Sequence, residues 1–258
     1  MIAVISGVSY RSFYVLTRNL RVLHKTWKTS LIPPFLDPLF YLVGMGYGLG
    51  AFVLKIEGMS YAEFLGPALI ASVMMSAPFF ENSIGSFVRL YFQKTFDAMI
   101  ATPVSSSDVA TGEILYGACK SLIQGVSILL VVTAFGLVKS PLALFIPIFC
   151  IFAGFVNGSI ALTYMTYVPS ISYMDYLFTV IMTPMFIFAG TFFPITQLPI
   201  WAQKAAFFMP FYHIVNITRA LTNGTNLHAI PGDLIWLFIC GTVFYLFSLW
   251  RMDKRIRR

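Results

Sequence analysis

Six apolar stretches, residues 31–54, 64–88, 114–138, 142–168, 177–193 and 234–250, dominate this chain. A helix needs about 20 mostly apolar residues to cross a bilayer. The first four runs meet that length and the last two come close, the fifth interrupted by Pro184. The runs are continuous rather than alternating, which argues against a membrane β-barrel. Composition leads the same way. Of 258 residues, 58% are hydrophobic and 10% charged, against about 45–50% and about 25% in soluble domains. Disordered chains are poor in apolar residues, so disorder is excluded too. The expected fold class is an all-α polytopic membrane protein, a single transmembrane domain over residues 1–258 with six spans.

The net charge of +7 raises nucleic-acid binding, but the placement of the basic residues suits a membrane better. With six spans the termini share a side. That side holds Arg11, Arg18, Arg21, Lys25, Lys28, Arg89, Lys94, Arg251, Lys254, Arg255, Arg257 and Arg258; the other holds Lys55, Lys139, Lys204 and Arg219. Excess Lys and Arg mark the cytoplasmic face, so both termini are expected there. Residues 1–8 show no apolar core with a small-residue cleavage site, and no cleavable leader is expected.

Three segments lie outside the runs. In residues 1–28, Phe13, Leu16, Leu20, Leu23 and Trp27 fall on one helical stripe with the basic residues opposite, the pattern of an amphipathic helix in the cytoplasmic headgroup region. Residues 89–113 form a polar cytoplasmic segment. A short helix is expected over residues 89–100, a break at Pro103, and N-cap groups from Ser105–Ser107 with Asp108. Residues 194–233 are too aromatic for a free outer loop. Two short helices, about 199–209 and 211–222, are expected to dip into the membrane and return, capping a cavity. The aromatic residues Phe192, Phe193, Phe207, Phe208 and Phe211 gather there and are read as an outer gate, with Trp201 and Tyr212 nearby and His213 and Arg219 facing anionic cargo or headgroups.

Much chemistry is missing. There is no phosphate loop; residues 112–121, GEILYGACKS, have the wrong spacing and enter a membrane helix. The three histidines form no metal set, and no nucleophile elbow occurs. Cys119, Cys150 and Cys240 all fall in apolar runs, where thiols behave as small hydrophobes. No metal and no cofactor is expected on this chain. Glu81, deep in its run, is read as a structural partner of Lys120, since ionisable groups at that depth need one; Asp37 and Asp175 are placed near the cytoplasmic ends. Gly44, Gly46, Gly48 and Gly50 give two small-xxx-small pairs, which permit close helix approach, within one chain or between copies.

Three stretches in order carry a resemblance: DPLFYLVGMGYGLG at residues 37–50, KTFDAMIATPV at 94–104 followed by DVATGE at 108–113, and GTFFPITQLP at 190–199. Together they resemble the membrane subunits of type 2 ABC exporters, closest to the permeases that export lipo-oligosaccharide nodulation factors. The resemblance implies a homodimer in the bacterial cytoplasmic (inner) membrane, working with two separate ATP-binding cassette subunits that hold the ATP and magnesium. It further implies outward transport of an amphipathic substrate: a lipo-oligosaccharide, polysaccharide, lipid or drug. Residues 89–100 match the family's coupling helix, so Phe92, Lys94, Thr95, Phe96, Asp97 and Met99 are expected at the ATPase contact, with Phe96 inserted as the anchor. The first and fifth spans are expected to meet their copies, with Gly44, Gly46, Gly48 and Gly50 at the seam. Competing readings are a secondary transporter or channel needing no ATPase, and a membrane enzyme on lipid carriers. The missing catalytic constellation disfavours the last.

Overall fold

The computed structural model describes residues 7–256 except Leu54 and Glu57. Residues 1–6, part of the stretch where no cleavable leader is expected, the last residue of the first run and Arg257 and Arg258 lie outside the described residues. Those that are described are helical, with a single isolated bridge between Ile56 and Met59 and no strand among them.

The elements in order are α1 (Ser12–Lys25), α2 (residues 27–51), α3 (Tyr61–Phe92), α4 (Thr95–Ile100), α5 (Ser106–Ala134), α6 (Pro141–Met165), α7 (Ile171–Phe188), α8 (Ile200–Phe207), α9 (Pro210–Asn223) and α10 (Leu227–Ile256). Five of them, α3, α5, α6, α7 and α10, are long and apolar enough to cross a membrane. The run expected as the first span is not among them. In α2 the stretch is diluted by Pro33, Asp37, Pro38 and four glycines, although it forms a continuous helix of 25 residues. It also begins at Trp27, several residues before the prolines expected to open it.

Local chemistry sets the helix ends. Ser60 and Glu63 make a capping box at the start of α3, and Ser105 and Asp108 make another at the start of α5, as their spacing predicts. Pro103 precedes that cap. The α5–α6 hairpin is tight: Gly136 turns with φ +70, and the Lys139 and Ser140 N–H groups both donate to the Thr222 carbonyl at 2.9 Å. Wide π-turns interrupt α2 at Leu42–Gly48, α3 at Glu81–Gly85 and Val88–Phe92, and α7 at Leu177–Met182. The last has a visible cause. Pro184 has no N–H and its ring crowds the carbonyl four residues back, so the turn widens. Thr183 Oγ1 donates to the Phe178 carbonyl at 2.9 Å in compensation.

The core is built on α3, whose residues are nearly all buried between α5, α6 and α9. Small residues let these helices touch. A Cβ on Gly154 of α6 would come within 2.8 Å of the Ala118 Cα on α5, and one on Gly241 of α10 within 2.8 Å of Val156. By contrast α7 and α10 keep most of their surface open, as suits helices facing lipid or a partner.

Helix α1 divides the expected stripe. Its inward face is Ser12, Val15, Asn19 and Leu23, packed on α5 at Gly112, where a Cβ would clash with Val15 at 2.5 Å. Phe13 and Trp27 of the expected stripe stay at least half exposed. Beside a membrane the polar face can turn to the protein and leave the apolar one outward.

Candidate functional site

The most concentrated chemistry lies where α1, α3 and α5 meet. Glu81 and Arg89 stand eight residues apart on α3, and Gly85 between them leaves room: a Cβ there would sit 2.6 Å from Glu81 Oε1. Arg89 Nη1 lies 2.7 Å from Glu81 Oε1. Arg89 Nε and Nη2 donate to Glu113 Oε2 of α5 at 2.9 and 2.5 Å. Lys120 Nζ, two turns further along α5, reaches Glu81 Oε2 at 2.5 Å. Ser86 Oγ donates to Glu113 Oε2 at 2.7 Å, and Asn19 Nδ2 of α1 donates to Glu113 Oε1 at 2.7 Å. The Arg89 and Lys120 cations also lie over the Tyr116 ring, each 5.7 Å from its centre. Two carboxylates and two cations balance within a site where Glu113 is 0% exposed.

The expected Glu81–Lys120 pair is therefore present, but as one arm of a four-charge cage. Sequence reasoning left Arg89 among solvated cytoplasmic charges and saw no relation between Glu81 and Glu113. The signal was there. Glu113, Tyr116, Gly117, Lys120 and Gln124 recur at three- and four-residue spacings, a polar stripe along an otherwise apolar helix.

Lys120 also lines a cavity of about 520 Å³, enclosed by Asp37 and Tyr41 of α2, Leu69, Ser72 and Ser76 of α3, Gln124 of α5, and Met182 and Phe186 of α7. Most of its wall is apolar, with the polar groups on α3, α5 and α2. Gln124, itself buried, has no partner for Oε1 among the described residues. Asp37 thus belongs to a cavity wall, ten residues into α2 rather than at a helix end as expected.

The segment expected to couple to an ATPase is helical at α4. The chain breaks at Lys94, which takes left-handed geometry with φ 53. Phe96, the expected anchor, is 0% exposed; it packs in the chain's own cluster with Phe87, Val109 and Met174. Met99 packs at the edge of that cluster, and Thr95 is half-buried. The outward groups are Phe92, 67% exposed, with Lys94 and Asp97. The reason is amphipathic geometry: α4 must bury one face on its own bundle, and Phe96 is on it.

The outer aromatics do not form one cluster. Phe192 meets Phe186 at 5.2 Å and Tyr41 at 6.3 Å, and Phe211 lies fully buried 5.9 Å from Phe186. Phe207 and Phe208 meet edge to face at 6.0 Å, and Phe207 meets Tyr212 at 6.5 Å and His213 at 5.1 Å. Phe193 is half-buried. His213 and Arg219, expected to face cargo, are engaged inside the chain. His213 Nδ1 lies 2.6 Å from Asp233 Oδ1 and Nε2 lies 2.8 Å from the Phe207 carbonyl, while Arg219 donates to the Gly190 carbonyl at 3.0 Å and covers the Phe64 ring at 4.1 Å.

The glycines of α2 divide. Gly46 faces Ala62 at 3.6 Å and Gly50 faces Tyr61 at 3.3 Å, both on α3; nothing lies within 4 Å of a Cβ on Gly44, and only the Val43 carbonyl of its own helix near Gly48. Gly46 and Gly50 serve packing within the chain, and Gly44 and Gly48 face outward.

Against known proteins, the ABC-2 type transporter profile matches residues 11–222. Nodulation protein J of Rhizobium leguminosarum bv. viciae is 30% identical over 242 residues, 93% of each chain. Nodulation protein J of Rhizobium meliloti (strain 1021) is 31% identical over 211 residues, 81% of this chain and 80% of its own. The inner membrane transport permease YadH of Escherichia coli (strain K12) is 26% identical over 246 residues, 90% of each. No solved structure matches.

Proposed function

This chain belongs to the ABC-2 type transporter family, as its membrane permease subunit, and we propose that two copies form an exporter driven by two separate ATP-binding subunits. The cargo is a lipo-oligosaccharide or a similar amphipathic glycolipid, moved outward across the bacterial cytoplasmic membrane. End-to-end likeness to nodulation protein J carries the reading. The cavity supports it, since an apolar wall with a few polar groups suits a cargo that is part lipid and part sugar.

In this reading α2 is the sixth span. Its 25 residues rise about 37 Å at about 1.5 Å each, enough for a hydrocarbon core of about 30 Å. Both termini are cytoplasmic, α1 lies at the cytoplasmic interface, and α8 and α9 are the re-entrant outer pair. Phe92, Lys94 and Asp97 meet the ATPase, with Thr95, Phe96 and Met99 holding α4 in place. The outer gate is Phe192 with Phe193, closed over Phe186 and Phe211. Phe207 and Phe208 lie to one side of it.

The test is reconstitution. The subunit, co-expressed with the ATP-binding subunit encoded nearest to it, is placed in inside-out vesicles with a fluorescent lipo-oligosaccharide. ATP-dependent uptake that stops when the ATPase's phosphate-loop lysine is replaced is the expected result. Uptake that ignores ATP, or failure of any ATP-binding subunit to co-purify, sinks it.

The dimer has its own check. Gly44→Cys and Gly48→Cys should cross-link between copies through a short bifunctional maleimide, and Gly46→Cys and Gly50→Cys should not, because α3 covers them. Uniform absence of cross-links would move the seam away from α2.

A further inference from the structure

The faces of α6, α7 and α10 enclose a second groove of about 620 Å³. Thr163 and Tyr164 of α6, Ile181 of α7, and Trp236, Val243 and Phe244 of α10 line it, with Phe208 at one end and Tyr167 at the other. Its wall is almost wholly apolar, and it is open along its length.

The Tyr167 end is chemically distinct. Tyr167, Phe247 and Trp250 form a stacked run of rings, with centres 6.1 and 5.5 Å apart. Arg251 lies over the Tyr167 ring at 3.8 Å and Lys254 over the Trp250 ring at 3.8 Å. Neither makes an ion pair with an acidic residue among those described, and Arg251 Nε has no hydrogen-bond partner there. The neighbouring Arg255 is tied to the Val168 carbonyl at 2.8 Å. The nearest acid along the helix, Asp253, accepts from Ser106 Oγ at 2.7 Å, which holds it toward α5.

We propose that this groove is a binding site for an anionic phospholipid, its phosphate on Arg251 and Lys254 and one acyl chain laid between α6, α7 and α10 toward Trp236. Three observations converge. The two cations sit at the cytoplasmic end of a spanning helix, where headgroups lie and where basic side chains attract anionic lipid. The aromatic rings hold those cations at interface depth rather than letting them swing into water. The length fits: from Arg251, where the phosphate sits, to Trp236 α10 rises about 22 Å, which is about 15 Å for one leaflet's half of a core about 30 Å thick with the remainder spanned by the headgroup. A zwitterionic lipid would place the same tail but gain less from the two cations.

The whole subunit, purified in mild detergent, is equilibrated with equal amounts of dioleoyl phosphatidylglycerol and dioleoyl phosphatidylcholine, and retained lipid is read by native mass spectrometry. Phosphatidylglycerol should be retained preferentially. Arg251→Ala with Lys254→Ala should cut that preference by more than tenfold, at about fivefold for each basic residue near the surface, while the charge-conserving Arg251→Lys with Lys254→Arg should keep most of it. Val243→Trp, which fills the groove and leaves both cations, should reduce retention of both lipids. Equal retention of the two lipids by the natural chain, an unchanged preference in the double alanine variant when it elutes as a folded species, or unchanged retention in Val243→Trp would each overturn the assignment. None of these outcomes depends on transport or on an ATPase.

Discussion

Replacing Arg89 with methionine should destabilise the purified subunit by about 3–5 kcal/mol, the usual cost of removing one partner from a buried ion pair. Arg89 is the hinge of the cage: it joins Glu81 at 2.7 Å to Glu113 at 2.5 Å. Without it Lys120 still answers Glu81, but Glu113 keeps as hydrogen-bond donors only the neutral Ser86 and Asn19, with Arg18 nearby. Removing Glu113's charge at the same time should recover much of the loss. The Arg89→Met, Glu113→Gln double variant keeps the Glu81–Lys120 pair and buries no lone charge, so the two substitutions should be strongly non-additive. Resistance to unfolding by sodium dodecyl sulfate, followed by circular dichroism, measures all three variants. Additive losses would mean that the two side chains act independently and that the cage is only a drawing of nearby charges.

Phe96→Ala and Phe92→Ala should fail in opposite ways. Phe96 is fully enclosed, and truncating such a phenylalanine costs about 3–5 kcal/mol of stability through lost burial and the cavity left behind. Its effect on the ATPase should follow from a loosened α4 and should fade under conditions that restore the fold. Phe92 stands out from the surface and contributes little to stability; as an exposed aromatic anchor its loss should weaken ATPase association by about 2 kcal/mol or more, about thirtyfold in Kd. Thermal unfolding of the free subunit and titration with the ATP-binding subunit separate the two. A Phe96→Ala chain as stable as the natural one would contradict the packing described for α4. Unchanged affinity in Phe92→Ala would remove Phe92 from the coupling contact.

The parts of this fold that were legible in the sequence are those governed by solvent transfer and by local caps. Helices α3, α5 and α6 announce themselves as runs too apolar for water, and Ser105 and Asp108 mark a start that the structure keeps. The α2 helix was legible as a segment but with its start misplaced, since the break between α1 and α2 falls at Thr26, where no proline or glycine stands. What the sequence hid was direction. An apolar stripe on α1 or α4 says that one face differs from the other, but not which faces the bundle, because lipid and protein interior are similar solvents for Phe13 and different ones only for Asn19 and Glu113. Polar residues were the better guide here. Each buried one needs a partner, and following that need from Glu81 leads to Lys120, Arg89, Glu113 and Asn19. For the outer aromatics, composition gave a neighbourhood and not a grouping. Gly190, at φ +79, turns the chain so that Phe192 swings toward Tyr41, while Phe207 packs on His213 and Phe208 lines the groove of α6, α7 and α10.

The π-turns give the central cavity walls of two kinds. Three of its sides, α2, α3 and α7, are helices that each carry a wide turn, and the fourth, α5, carries none among the described residues. A wide turn holds one surplus residue, and such surplus tends to sit where proteins work. When the surplus slips along a helix by one position, hydrogen bonds are exchanged one at a time rather than broken together. Every side chain passed over is then turned by about 100°, the angle of one residue in a helix of about 3.6 per turn. Such a wall can present a new face to its contents without tilting and without opening a gap to lipid. Against it α5, with no such turn among the described residues and pinned by the charge cage at its N-terminal half, is a fixed wall.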